Sequence, residues 1–272
     1  MVGAVPVGFW YPTPSIGGGS FPFLHDPILA LDPGDINSYN PSVDAQTFTD
    51  LTGLTGDFFI GTDGTSEPTQ DPLFVGTPGG LSDEYFHYNF AGGGSSGKIN
   101  MKASPSTFLS SMHKDNASFS IMRAVWNEAA TPNNSFQNST VDTTPSITFS
   151  TSFDGSKISP FFSVRDDGGP PIVSEFSTLV TPLDTWTIVG LSIDEAAGAD
   201  GSFFFVDGST DTFDATYSTP SVANAGGPSG FIIGGASGDE GRQGVVLFWD
   251  KALTTTEMTD QFNAIKSRYG IA

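Results

Sequence analysis

The C-terminal stretch of the chain, residues 230–272, reads GFIIGGASGDEGRQGVVLFWDKALTTTEMTDQFNAIKSRYGIA. It contains two short apolar runs, at residues 231–233 and 245–249, which are rich in β-branched and aromatic side chains. Both runs are too short for a helix and are typical of buried strands. The stretch therefore predicts two strands at the core of a sheet.

An amphipathic helix is predicted directly after these strands. Thr254 and Glu257 have the spacing of a capping box, in which each side chain satisfies an amide of the first helical turn. Acids lie near the start of the segment, bases lie near its end, and Gly270 offers a left-handed stop. The apolar residues at helical spacing, which predict one buried face, are Met258, Phe262, Ile265 and Tyr269.

Short apolar or alternating segments, separated by turn residues, recur about every ten residues between positions 28 and 249. No linker or internal repeat interrupts them, so we predict one β-sandwich with two antiparallel sheets. In one segment Arg123 falls on the apolar strand face. The core candidates are Phe119, Ile121, Val189, Leu191, Phe203, Phe205, Ile232 and Leu247.

The composition excludes several classes of protein. The 272 residues include 30 acids and 10 bases, a formal net charge of -20, which repels phosphate backbones and anionic lipid surfaces. We therefore expect no nucleic-acid and no membrane partner. Because the chain has no cysteine, it has neither a disulfide framework nor a thiolate zinc site.

Catalytic patterns are weak. A retaining glycosidase needs two carboxylates about 5 Å apart, and the apolar strands carry no acidic alternation of that kind. Residues 93–97 match the nucleophile-elbow pattern G-x-S-x-G but lack its strand and helix context. His25, His87 and His113 are far apart and have no partner at zinc spacing. The expectation is that the chain is not an enzyme and has no cofactor.

Several motifs together carry a family resemblance. Near the C-terminus they are residues 233–235 (IGG), the run 245–249, and residues 252–254 (ALT) followed by Glu257. Near the start they are residues 31–34 (LDPG), 38–39 (SY) and 48–53 (FTDLTG). These motifs resemble laminin-G-like, concanavalin A-like jelly-roll domains of the kind found in tailed-phage structural proteins. The resemblance implies an all-β, two-sheet antiparallel jelly-roll sandwich at residues 28–272, with a short C-terminal helix.

The same resemblance implies a function. It indicates a non-enzymatic virion protein of a bacteriophage, a capsid decoration or tail or fibre component, with other virion subunits as partners and a homo-oligomeric state. The alternative is a carbohydrate-binding module or adhesin that recognises host surface glycans, and a glycosidase is a third hypothesis.

Many laminin-G-like domains bind a structural calcium ion at the sandwich rim. The loops that could hold calcium are 154–156, 166–167, 194–200 and 207–211.

Residues 1–27 are predicted to form an extended N-terminal arm. Five prolines disfavour regular structure there, while aromatic rings offer a large area for burial against a partner. We therefore expect the arm to dock on another subunit while the jelly roll projects outward. The candidate partner-binding residues are Phe9, Trp10, Tyr11, Phe21 and Phe23.

Overall fold

The computed structural model of the protein describes most of the chain beyond residue 21. The described residues are 22–61, 63–66, 71–88, 97–102, 112, 116–128, 134–137, 146–165, 171–198, 201–213, 231–234 and 241–272.

Sixteen strands and one α-helix form in this part of the chain. The strands are β1 (Leu29–Leu31), β2 (Thr47–Phe48), β3 (Phe58–Ile60), β4 (Leu73–Val75), β5 (Tyr85–Tyr88), β6 (Ile99–Met101), β7 (Ser118–Asn127), β8 (Asn134–Gln137), β9 (Ser146–Phe153), β10 (Ile158–Arg165), β11 (Pro171–Phe176), β12 (Trp186–Asp194), β13 (Phe203–Val206), β14 (Ser209–Thr212), β15 (Ile232–Ile233) and β16 (Gly241–Trp249). The helix is α1 (Thr255–Ile265), and 3-10 turns cover Glu195–Ala197 and Lys266–Tyr269.

The strands form two antiparallel eight-stranded sheets. The first, which we call the helix-side sheet, has the order β14-β13-β12-β7-β16-β5-β4, and β1 also pairs with β16. The second, which we call the opposite sheet, has the order β11-β10-β9-β8-β15-β6-β3-β2. Neighbours such as β7 and β16 are distant in the chain, as in a jelly roll. The predicted all-β two-sheet sandwich is confirmed.

The main core lies between the two sheets, where alternate residues of each strand point inward. Phe119, Ile121, Val189 and Leu191 are fully buried there, as predicted. Arg123 lies on the same strand face and is fully buried, and its Nε donates a 3.0 Å hydrogen bond to Gln243 Oε1. A buried guanidinium needs such partners because removing it from water is costly.

A second core lies between the helix-side sheet and α1. Phe203, Phe205 and Leu247 pack there rather than between the sheets. The sheet is thus buried on both faces, which explains why nearly every residue of β12 and β16 is buried, rather than every second one. The prediction for Ile232 was wrong: it is only half-buried, and its neighbour Ile233 is the fully buried residue, because side chains alternate along β15.

The predicted helix caps are confirmed. The Thr254 hydroxyl accepts from the Glu257 amide at 3.2 Å, and the Glu257 carboxylate accepts from the Thr254 amide at 2.8 Å. Gly270 is left-handed, with φ of 67°.

Among the described residues, α1 is the longest helix with 11 residues. No helix in this part of the chain is long and apolar enough to cross a membrane.

A buried ion pair joins the two ends of the described chain. Arg268 Nη1 lies 2.6 Å from Asp32 Oδ2, and Arg268 Nη2 lies 3.5 Å from Glu84 Oε2. A Cβ on Gly34 would lie 2.2 Å from Arg268 Nη2, so glycine makes room for the guanidinium. The Ser38 hydroxyl accepts from the Asp32 amide at 3.1 Å. Asp32, Gly34 and Ser38 of the LDPG and SY motifs therefore stabilise the fold.

Candidate functional site

A row of side chains crosses the outer face of the helix-side sheet. The strand register pairs Trp186 of β12 with Trp126 of β7, and Trp126 with Arg242 of β16. Arg242 is paired in turn with His87 of β5, and His87 with Leu73 of β4. We call these five residues the cross-strand row. Because neighbouring strands lie about 4.8 Å apart, the row spans roughly 19 Å.

Two more side chains belong to this surface. Tyr85 precedes His87 by two residues, so that both lie on the same side of β5. Glu128 directly follows the end of β7, and its carboxylate contacts both His87 and Arg242. We call the cross-strand row together with Tyr85 and Glu128 the ring-and-charge surface.

The end of the C-terminal helical segment borders this surface. The ring of Tyr269 lies 4.8 Å from the ring of Trp186, and its hydroxyl accepts a 2.8 Å hydrogen bond from the Val245 amide. A Cβ on Gly244 would lie 2.5 Å from the Tyr269 hydroxyl oxygen, so glycine lets the ring reach the sheet. Trp186 is consequently 6% exposed, whereas Leu73 at the other end of the row is 64% exposed.

The aromatic rings of the surface support one another. The centroids of Tyr85 and Trp186 are 5.7 Å apart with planes at 69°, and those of Trp126 and Trp186 are 5.8 Å apart at 80°. Both are edge-to-face arrangements, which the aromatic quadrupole favours. Tyr85 and Trp126 remain half-buried, so the two rings are only partly covered.

Charged groups lie directly on these rings. The Arg242 guanidinium lies 4.2 Å from the centroid of Trp126 and 4.9 Å from that of Tyr85, within cation-π range. Arg242 Nε donates a 2.6 Å hydrogen bond to Glu128 Oε1, and His87 Nε2 lies 2.8 Å from Glu128 Oε2. One carboxylate therefore holds both a guanidinium and an imidazole in fixed positions.

The environment of Glu128 favours its charged form. Burial raises the pKa of the Glu128 carboxyl, but the hydrogen bonds from Arg242 and His87 outweigh burial and hold the pKa below its ordinary value. Glu128 is thus an anion at neutral pH. Its side chain is 21% exposed, so it also meets solvent.

This arrangement suits a ligand that has both apolar faces and hydroxyl groups. Ring faces offer apolar contact, while a carboxylate accepts hydrogen bonds and a guanidinium donates them. Among the described residues, each Glu128 oxygen accepts one bond, from Arg242 or from His87, and has a further lone pair. Binding sites commonly combine aromatic area with a few oriented polar groups in this way.

An open groove elsewhere is less suited to such a ligand. It has a volume of about 290 Å³ and is lined by Ile36, Asn37, Ser38, Asn40, Val43, Asp44, Thr47 and Thr49. None of these lining residues is aromatic. The Asp44 carboxylate accepts hydrogen bonds from the Thr47 hydroxyl at 2.5 Å and the Gln46 amide at 2.9 Å, which is the geometry of a turn.

Most of the predicted arm residues lie outside the described part of the chain: Phe9, Trp10, Tyr11 and Phe21. Phe23 is described, and it packs half-buried against the core beneath α1. Next to it, the Leu24 amide donates a 2.7 Å hydrogen bond to Gln261 Oε1, and the Leu24 carbonyl accepts one of 3.1 Å from Trp249 Nε1. The segment beginning at residue 22 thus contacts its own domain, and a role in binding another subunit stays a prediction.

The loops proposed for calcium use their carboxylates in local structure. Asp154 accepts from Ser156 and Lys157, and Asp194 accepts from the Ala197 amide. Asp207 accepts from the Ile188 amide, and Asp211 accepts from the Ser177 hydroxyl. Residues 166–167 lie outside the described part. No group of three acidic or histidine side chains with the geometry of a metal site occurs among the described residues.

The histidines and the nucleophile-elbow pattern singled out in the sequence do not form one site among the described residues. His87 belongs to the ring-and-charge surface, whereas His25 lies 3.8 Å from Glu257 and 3.9 Å from Asp260 at the helix. His113 and residues 93–96 of the nucleophile-elbow pattern fall outside the described residues.

Sequence reasoning did not identify the ring-and-charge surface. Its members come from five strands and from positions as distant as residues 73 and 242, so they meet only through the register of the sheet. A local signal did exist at residues 126–128, where Trp126 lies next to the end of an apolar strand and Glu128 directly follows that strand. An aromatic residue and an acid at the end of a strand are nevertheless common in turns as well.

Comparisons with known proteins support the fold. No protein-family model and no curated protein matches the chain, but solved structures do resemble it. One is domain 4 of AbnA, an extracellular GH43 arabinanase from Geobacillus stearothermophilus, in complex with arabinotriose. The match has a TM-score of 0.56 and 16% identity, and it covers 86% of this chain and 97% of that domain.

Two other similar structures belong to larger chains. The binding domain of botulinum neurotoxin DC in complex with SialylT matches with a TM-score of 0.55 and 14% identity, over 88% of this chain and 51% of that one. Trypanosoma rangeli sialidase in complex with the inhibitor DANA matches with a TM-score of 0.52 and 14% identity, over 89% of this chain and 33% of that one. At such low identity these likenesses establish the fold alone, a two-sheet β-sandwich of the jelly-roll type.

Proposed function

We propose that the protein is a non-enzymatic carbohydrate-binding β-sandwich, and that the ring-and-charge surface is its glycan-binding site. The observation that carries this proposal is the cross-strand row. Together with Tyr85 and Glu128, this row places two half-buried aromatic rings beside an oriented guanidinium, imidazole and carboxylate, along roughly 19 Å of one sheet face.

The chemistry of sugars supports the assignment. A pyranose or furanose ring has faces of C–H groups, which pack on aromatic rings, and a rim of hydroxyl groups that both donate and accept hydrogen bonds. Tyr85 and Trp126 supply the rings. Glu128 supplies acceptors and Arg242 supplies donors. Because the Glu128 carboxylate contacts both Arg242 and His87, these groups are pre-oriented, which lowers the entropic cost of binding.

The similar structures support the same class of ligand. Domain 4 of the arabinanase is described in complex with arabinotriose, and the neurotoxin binding domain in complex with SialylT. Glycan binding is thus compatible with a sandwich of this kind. The identity of the ligand must nevertheless come from the side chains of this chain, because a fold carries many functions.

The absence of an enzymatic activity is part of the proposal. Asp32 and Glu84 are buried against Arg268, and Glu128 is bonded to Arg242 and His87. Retaining hydrolysis needs one carboxyl group kept protonated as the acid, whereas the surroundings of Glu128 hold its pKa low. Incubation with the bound glycan should therefore yield no cleavage products by mass spectrometry.

A glycan array followed by calorimetric titration of the best ligand tests the binding proposal. Arg242→Ala and His87→Ala should each weaken binding by roughly tenfold or more, equivalent to about 1.4 kcal/mol. The control is Phe176→Ala, which removes a ring that is 40% exposed on the opposite sheet. Binding that survives both surface variants but fails in the control would move the site to the other sheet.

A second proposal concerns where the domain is displayed. We propose that it is a virion component of a bacteriophage, as the sequence resemblance implies, and that the part of its predicted arm (residues 1–27) before Pro22 anchors it. The docking of Leu24 on Gln261 and Trp249 supports this, because it fixes the point from which such an arm would extend. Deletion of residues 1–21 should abolish incorporation into particles, measured by co-sedimentation, without loss of folding. Normal incorporation of the truncated protein would refute the anchoring role.

A further inference from the structure

A single carboxylate engages both basic side chains of the ring-and-charge surface. Glu128 Oε1 accepts from Arg242 Nε at 2.6 Å, and Glu128 Oε2 lies 2.8 Å from His87 Nε2. The guanidinium carbon of Arg242, in turn, lies 4.2 Å from the ring centroid of Trp126 and 4.9 Å from that of Tyr85. Arg242 is therefore in contact with an anion and with two aromatic rings of the surface.

Recognition of an acidic sugar favours a different arrangement. A carboxylate on a ligand is best bound by an arginine that presents two parallel N–H donors to it. At this surface such a ligand would approach a guanidinium that already carries the Glu128 anion. The Glu128 carboxylate and a ligand carboxylate bound to the same guanidinium would be close enough to repel each other. This repulsion weakens the binding of the acidic ligand.

Two other arginines, Arg123 and Arg268, do not compensate for this repulsion. Arg123 is fully buried between the sheets, and Arg268 is paired with Asp32 and Glu84. The net charge of -20 adds a long-range repulsion of anions over the whole molecule.

We infer that the ring-and-charge surface binds neutral glycans and rejects acidic ones, and that Glu128 is the residue that sets this specificity. The inference rests on the proposed glycan-binding function. Neutral hydroxyl groups can use the second lone pairs of the Glu128 oxygens, whereas a sugar carboxylate can only oppose them.

Calorimetric titration with matched pairs of oligosaccharides tests the inference. The members of a pair differ only in an acidic group, such as a galactose oligosaccharide with and without terminal sialic acid, or a galactan against a galacturonan oligosaccharide. At low ionic strength we expect the acidic member to bind at least about tenfold more weakly. The gap should narrow in about 0.15 M salt, which screens exposed charges.

Glu128→Gln isolates the local charge. This isosteric variant should raise the affinity for the acidic member relative to the neutral one. The control Asp250→Asn removes an exposed carboxylate and changes the net charge equally, and it should leave the ratio unchanged. Melting temperatures show that each variant is folded.

The two proposals fail in different ways. If the acidic member binds as tightly as the neutral one, and Arg242→Ala abolishes that binding, the specificity inference is wrong and the site stands. If neither member of any pair binds, or if Arg242→Ala and His87→Ala both leave the affinity unchanged, the proposed function is wrong. The specificity inference, which rests on it, is then wrong as well.

Discussion

Arg268 and Asp32, 236 residues apart in the chain, form a buried ion pair in which Arg268 Nη1 lies 2.6 Å from Asp32 Oδ2. Arg268→Met should lower the free energy of unfolding by about 3 to 5 kcal/mol, because it leaves the Asp32 and Glu84 carboxylates buried and unpaired. Urea denaturation measures the change. The control Lys266→Met removes a half-buried cation from the same turn and should cost less than about 1 kcal/mol. Equal losses in both variants would contradict the ion-pair argument.

Phe262 tests the docking of α1 on the sheet. It is 4% exposed, and its ring lies 5.6 Å from that of Phe205. Phe262→Ala should cost about 3 to 5 kcal/mol, as for other buried aromatic residues. Asn263→Ala, an exposed change one residue later, should stay within about 0.5 kcal/mol. If the Phe262 variant costs no more than the Asn263 variant, the helix does not depend on this contact.

Glu128 gives the stability a defined pH dependence. Because its pKa is lowered in the folded protein, the ionised carboxylate stabilises the fold above the unfolded pKa of about 4.3. That contribution is lost as the pH falls through the folded pKa. Glu128→Gln should therefore cost about 2 kcal/mol at pH 7, the scale of charge-assisted hydrogen bonds, and the difference from wild type should shrink as the pH falls towards the folded pKa. Denaturation curves between pH 7 and about pH 3 measure this, with Asp250→Asn as the control. A difference that is constant with pH would show that charge is not the cause.

The N-terminal boundary of the folded unit can be mapped by truncation. A protein that begins at Pro22 should keep wild-type stability. One that begins at Ile28 should lose about 1 to 3 kcal/mol, because Trp249 Nε1 and Gln261 Oε1 lose their partners on Leu24. Thermal and urea unfolding distinguish the two. Equal stability of both truncations would show that residues 22–27 contribute nothing to the fold.

Local features of the fold were predictable from sequence, because their causes lie within a few residues. The Thr254 and Glu257 capping box depends only on spacing along one turn, and the structure confirms it. The alternation around Arg123 likewise identified its strand face.

Long-range features were not predictable in the same way. Phe205 and Leu247 were expected in the core, but nothing in their own strands indicated that a helix would cover them. The pairing of Trp126 with Trp186 and with Arg242 depends on the register of strands that are far apart in the chain. Alternation along one strand predicts which side chains share a face of the sheet. Which residues of different strands are neighbours depends on the strand order and register.

The hydrogen bonds of Leu24 to Gln261 and Trp249 have a topological consequence. They place the segment that leads into the first strand beside the C-terminal helix. A circularly permuted chain should therefore be constructible. From Gln261 to Ala272 the chain spans at most roughly 25 Å, because α1 ends at Ile265 and a 3-10 turn follows it, and a linker of roughly eight residues covers that distance. New ends fit the turn at residues 154–157, where the left-handed Gly155 has no neighbouring atom within 4 Å of a Cβ position. Such a permutant would keep every described strand neighbour while moving both ends of the chain away from the helix.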